Sequence, residues 1–308
     1  MENNDIECCL NQIGLYNHKG QVNKIILLKD ERIVSCSSDE SICLFSNNLE
    51  FKFSLRGHTS AVCAIAQIEN GLIVSGSVDG TIKIWSVDKE NYKCEHTNMN
   101  AHFDMIKDII VLTNNRYLTY SYDQSIKLWK GENPYSMIRT IKGITSAIQC
   151  ICYISSKDYL FVFQEEGNLI IINMNTYKKE TMISNIDSNG SILDIQNNTL
   201  LIGGANTITL FDYLHIKVIK IIQCNFYTKI SSFLFYDNQT IFFSSKNDRT
   251  YDIVSLNLLT EKFTSLVQGA HIDTITGLLI TKEKKIVSSS KDHSIKRWEI
   301  IKKIININ

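Results

Sequence analysis

The sequence predicts an all-β fold in which one supersecondary unit is copied along the chain, and two observations carry that prediction. The first is a strict spacing: His18, His58, His102 and His271 each stand 21 residues ahead of Asp39, Asp79, Asp123 and Asp292, and six residues further on come Phe45, Trp85, Trp129 and Trp298. The second is the pattern inside each interval. Leu72 to Ser77 reads as a strand, Val78-Asp79-Gly80 as a tight turn, and Thr81 to Trp85 as the returning strand, with β-branched residues on both arms. Tyr117 to Trp129, Ile286 to Trp298 and Ile33 to Phe45 repeat this hairpin.

Room remains for one further strand on each side. Ala61 to Ile65 follows the histidine of the second copy, and another strand fits between each closing aromatic and the next histidine. Four strands of about five or six residues with short turns fill about 40 residues, the size of one propeller blade.

Three weaker copies fill the gaps. In the fourth, Gly143-Ile144 stands where Gly57-His58 would, and Gly167 to Ile172 mimics Gly80 to Trp85, with Glu166 at the turn carboxylate. The fifth has Ala205 at the aspartate position and ends on Phe211; the sixth offers Ser244 and Asp248 and ends on Val254. The closing positions 45, 85, 129, 172, 211, 254 and 298 then lie 39 to 44 residues apart, which leaves no interval for a separate domain. The expected organisation is a single domain of seven repeats, near 17–45, 57–85, 101–129, 143–172, 184–211, 227–254 and 270–298.

Over roughly residues 17 to 300 the chain resembles the WD-repeat β-propeller family, by repeat length and by its Gly-His and aromatic marks. The Trp-Asp pair itself is altered to Trp85-Ser86, Trp129-Lys130 and Trp298-Glu299, and Phe211-Asp212 is its nearest survivor. The resemblance implies a seven-bladed propeller of four-stranded antiparallel blades. It also implies that the N-terminal stretch of about 7–15 pairs beside the Trp298 strand and closes the ring, removing exposed edges. The rival is that Ile300 to Ile307 supplies the missing strand locally.

The resemblance further implies structural hydrogen-bond chains running from the indole N–H through Ser or Thr and His to Asp. The residues concerned are His18, Ser35 and Asp39; His58, Ser75, Asp79 and Trp85; His102, Thr119, Asp123 and Trp129; and His271, Ser288, Asp292 and Trp298. Ser75, His58 and Asp79 would also match a hydrolase triad in residue type. Because the set recurs four times, structure is the stronger reading, and no enzyme activity is expected.

Composition narrows the rest. Hydrophobic residues make up 44% and charged residues 21%, as in a globular protein, and 32 basic residues balance 32 acidic ones. No basic stripe advertises nucleic acid or anionic membrane, and Tyr117, Tyr120, Tyr122, Phe161 and Phe163 are not interleaved with cations. Apolar runs such as Ile25 to Leu28 are far shorter than a bilayer span, and the acidic start Met1 to Asp5 lacks the features of a signal peptide.

Nine cysteines without a C-x-x-C pair fit reduced thiols of the cytoplasm, with the nucleus as the alternative. Cys150-Ile151-Cys152 and Cys8-Cys9 lack the spacing of zinc ligands, and no Gly-Lys-Ser or Gly-Lys-Thr run cradles a phosphate. Only Leu55-Arg56-Gly57 approaches the Phe-Arg-Arg-Gly motif of phosphoinositide-binding propellers. No metal or cofactor is expected.

The expected partner is a protein or peptide segment held on the face around the central opening, within a multiprotein complex. Candidate contact residues, just after each histidine turn or just before each turn aspartate, are Asn23, Cys63, Met105, Lys107, Gln149, Thr276, Tyr122, Glu165 and Lys291. A substrate receptor of a ubiquitin-ligase-type assembly is an alternative, weakened because no F-box-like helical segment precedes the repeats. A propeller enzyme is the alternative from another class.

Overall fold

A computed structural model describes residues 5–88, 91–142, 144, 146–187, 191–195, 198–224 and 227–305. The described residues form seven four-stranded antiparallel sheets. Blade one is Val22–Leu27, Ile33–Ser37, Ile42–Phe45 and Phe51–Leu55; blade two is Val62–Gln67, Ile73–Ser77, Ile82–Asp88 and Asn91–Asn98. Blade three is Ile106–Val111, Arg116–Ser121, Ile126–Lys130 and Met137–Ile141; blade four is Ile148–Ile154, Tyr159–Gln164, Leu169–Asn173 and Lys178–Ile183. Blade five is Ser191–Ile195, Thr199–Gly203, Thr207–Asp212 and Lys217–Gln223; blade six is Thr228–Phe235, Thr240–Asn247, Thr250–Asn257 and Phe263–His271.

Blade seven takes Ile275–Ile280, Ile286–Ser290 and Ser294–Ile305, and its outer strand is Asp5–Asn17 from the other end of the chain. Gln12 lies opposite Trp298 and Tyr16 opposite Ile295. Residues 300–305 continue the Trp298 strand rather than folding back beside it, so the local-closure alternative does not hold.

Seven apolar clusters occupy the seven junctions between neighbouring blades, from Val34, Leu44, Ile65 and Trp85 between blades one and two to Val22, Phe45, Val287 and Ile295 between seven and one. Burial of this surface at about 25 cal/mol per Å² is the main force joining the sheets. Contact is close: a Cβ on Gly76 would sit 2.5 Å from Ile106 of the next blade. Gly80 needs its positive φ of 72°, and a Cβ there would meet the His102 carbonyl at 2.5 Å.

One repeat is phased differently from its sequence reading. Ser245 donates to the Thr228 carbonyl as Ser77 does to that of Ser60, so Phe243, not Ser244, occupies the place of Ser75. Leu256, rather than Val254, then lies across from Ile241 as Trp85 does from Ile73. The cause is a longer hairpin, in which pairing runs on to Asn247 and Thr250 around Asp248 and Arg249.

Candidate protein-binding face

The polar side chains of the strong repeats meet in buried chains. In blade two the Trp85 indole N–H donates to Ser75 Oγ at 2.8 Å, the Ser75 hydroxyl donates to His58 Nε2 at 2.8 Å, and His58 Nδ1–H donates to Asp79 at 3.2 Å. The corresponding distances are 2.8, 2.7 and 2.9 Å for Trp129, Thr119, His102 and Asp123, and 2.8, 2.7 and 2.8 Å for Trp298, Ser288, His271 and Asp292. In blade one Ser35, His18 and Asp39 join at 2.7 and 2.9 Å, but Phe45 has no donor. Phe45 packs instead against Tyr16 of the closing strand, their ring centroids 4.6 Å apart.

Each aspartate also accepts backbone N–H groups from both sides of the junction, as Asp79 does from Thr59 at 3.0 Å and Thr81 at 2.9 Å. The hydroxyl of Thr81 and these N–H groups outweigh burial and hold the Asp79 carboxyl down at about 2; Asp123 lies at about 2 for the same reasons. Burial holds His58, His102 and His271 below the ordinary imidazole value, so these rings are neutral. His18 shifts the other way, because Cys43 and Asp39 beside it overcome burial.

Blades four and five lack this chain. Gly143 lies outside the described residues, and Ile144 is half-buried against the core between blades three and four. In blade five the carboxylate comes from the opposite side of the loop. Asp187 accepts the Ala205 N–H and the Thr207 hydroxyl, both at 2.9 Å. Sequence reasoning missed it; the signal was an Asp placed just after the slot that a histidine fills elsewhere, here held by Ile186.

The candidate contact residues fall into two sets on the face bearing the histidine loops. Asn23, Cys63, Lys107, Gln149 and Thr276 lie on the innermost strands, and three of them tie one blade to the next. Asn23 donates to the Val62 carbonyl at 2.8 Å, Lys107 to that of Ile148 at 2.9 Å, and Thr276 to that of Val22 at 2.8 Å. Ser231, not singled out from the sequence, does the same to Ile275 at 2.8 Å. Cys63 donates to the Ala61 carbonyl of its own blade, and Gln149 is half-buried.

Tyr122, Glu165 and Lys291 form the second set. Each backbone N–H is fixed to the carbonyl of Met105, Ala147 or Thr274, so the three side chains hold matching places around the ring and are exposed. Lys107 lies over the Tyr122 ring, 5.0 Å from its centroid, while Met105 is half-buried. The most prominent apolar groups on this face escaped the sequence reading. Phe103 is 92% exposed and Ile272 76%, each directly after its histidine, and the Phe103 N–H is fixed to Asp123 at 3.0 Å. Lys127 sits 5.6 Å from the Phe103 centroid. No helix among the described residues is long and apolar enough to cross a membrane.

Comparison with known proteins agrees with this architecture. Residues 49–86 match the family model described as WD domain, G-beta repeat. A stretch of 113 residues is 27% identical to the ribosome biogenesis protein WDR12 homologues of Drosophila mojavensis and Drosophila persimilis, and 28% identical to that of Drosophila erecta. The matched stretch covers 36% of this chain and 26% of each relative, so it spans about a quarter of their length. Together the seven-bladed ring, its buried polar chains and the matching repeat give the chain the architecture of a WD-repeat β-propeller.

Proposed function

We propose that the protein is a non-enzymatic scaffold that holds a protein segment on the face around its central opening, inside a larger assembly. The observation that carries this reading is the pair Phe103 and Tyr122 on blade three, two exposed rings on a backbone pinned by hydrogen bonds, each with a lysine ammonium nearby. Exposed aromatic groups on a rigid support act as anchors, because little ordering cost falls on their side of the interface. Glu165 and Lys291 offer charges of opposite sign at matching places on blades four and seven, which would orient the bound segment.

Catalysis by the His, Ser and Asp sets is disfavoured by their burial. Ser35, Ser75, Thr119 and Ser288 are fully buried, and three of these hydroxyls already accept an indole N–H. Likeness to proteins named for ribosome biogenesis supports a place in a multiprotein complex, and favours the nucleus over the cytoplasm as its setting.

The test is affinity purification of the tagged chain beside a Phe103→Ser/Tyr122→Ser variant. The expected result is a set of proteins recovered with the parent chain and lost from the variant at unchanged melting temperature. Identical recovery from both would reject this face as the binding surface.

A further inference from the structure

A second surface lies on the rim, away from the central face. The outer strand of blade five, Lys217–Gln223, reads Lys-Val-Ile-Lys-Ile-Ile-Gln, and its Val218, Ile219 and Ile221 are 45, 51 and 53% exposed. Leu214 and Ile216, in the turn leading into it, are also exposed. An apolar, β-branched edge strand presents a row of backbone donors and acceptors to any passing strand.

Blades one, two and four guard their outer edges with a charged residue. In these blades the outer strand bulges beside the aromatic position, and the residue left out of pairing is Lys52 in blade one, Glu95 in blade two and Glu180 in blade four; blade seven leaves out Ile13, but the exposed polar Asn11 and Gln12 precede it. Blade three leaves out Ile138, but its strand has only five residues and its Arg139 lies over Tyr177. In blade five the bulged residue is Ile219, and the guard is missing from a strand of seven.

We infer that the outer edge of blade five binds an extended segment of a protein partner as a fifth strand, and that this segment alternates apolar and acidic side chains. Strand addition follows from the free edge, where main-chain hydrogen bonds give affinity and alternate side chains give selectivity. Acidity follows from charge: the strand carries Lys217 and Lys220 and no carboxylate, and Lys220 already attracts Glu261 from the next blade. Two copies of this strand paired together would gather four lysines without an acid, so a second copy of the chain is disfavoured.

A groove of about 210 Å³ continues the surface at the lower end of the strand, between Tyr159, Glu180 and Thr181 of blade four and Tyr213, Leu214 and Ile216 of blade five. It is too small for a ligand of ordinary size and suits one apolar side chain of the added segment. With the central face, this edge would let one ring hold two partners at once.

The experiment uses the full chain and a fluorescent peptide of four Val-Glu repeats, read by anisotropy and by amide hydrogen exchange. Binding should slow exchange at residues 217–223, and a peptide of four Val-Lys repeats should fail. Ile219→Lys/Ile221→Lys should weaken binding tenfold or more, whereas Phe103→Ser/Tyr122→Ser should leave it unchanged, which separates this site from the central face. Should the first variant unfold, Lys217→Glu/Lys220→Glu should reverse the preference between the two peptides. No binding, protection elsewhere, or equal binding of both peptides would overturn the inference. So would protection of the same amides by self-association in sedimentation, or by anionic phospholipid vesicles in place of the peptide.

Discussion

At the residue scale the buried polar chains set which substitutions cost most. Removing one partner of Asp79 or His102 leaves a buried group without its hydrogen bond, at about 1–3 kcal/mol. Asp79→Asn and His102→Ala should therefore shift the denaturant midpoint clearly downward, while Glu166→Gln, at an exposed turn in a blade without the chain, should leave it nearly unchanged. Equal losses at all three would refute the assignment. Asp187→Ala should cost more than Glu166→Gln, because it releases both the Ala205 N–H and the Thr207 hydroxyl. The pH response follows from the same groups. The folded chain takes up protons on His58, His102 and His271 less readily than the unfolded chain, so their contribution is complete above their ordinary value of 6.5 and is lost as the pH falls below it. Asp79 and Asp123, lowered from 3.8 to about 2, add a second loss across that lower interval. Melting temperature should thus fall on acidification in two stages, and a profile flat from pH 7 to 5 would contradict the neutral buried rings. These chains lie at fixed sequence steps because each spans the same hairpin. Asp187 did not show itself that way, since its carboxylate acts from the other side of the loop, and Phe103 and Ile272 carry no periodic mark at all.

Whole strands raise a different question, because the ring depends on a strand that enters from the far end of the chain. Asp5–Asn17 pairs along Ser294–Ile305, and its Tyr16 packs on Phe45 of blade one. It therefore joins blade seven by hydrogen bonds and blade one by side-chain contact. Deleting residues 1–16 should lower the melting temperature of the whole molecule and expose the Ser294–Ile305 edge to aggregation; an unchanged melting temperature would mean the ring closes without it. This strand was legible because residues 7–15 stand before His18 as 47–55 stand before His58. The hairpin of blade six was not, because counting back from Asp248 assumes the standard turn, whereas added pairs from Ser245 to Asn247 moved every later residue along the strand.

Across the whole molecule the polar chains are not evenly spread. Blades seven, one, two and three are neighbours in the ring and carry the four histidine chains, while among the described residues of blades four, five and six single carboxylates such as Asp187 and Asp252 hold the loops beside apolar junctions. A junction without a histidine chain has fewer buried hydrogen bonds of that kind to break when one sheet swings away from the next. Local opening should therefore begin in the second half of the ring, which also bears the exposed edge of blade five. Native-state hydrogen exchange gives the measurement. Amides of residues 160–163, 200–203 and 241–244, in the second strands of blades four to six, should exchange faster than those of 34–37, 74–77, 118–121 and 287–290, which hold the same place in the latched blades. Uniform protection around the ring would show that apolar packing alone sets local stability, and that the histidine chains position the loops without holding the sheets together.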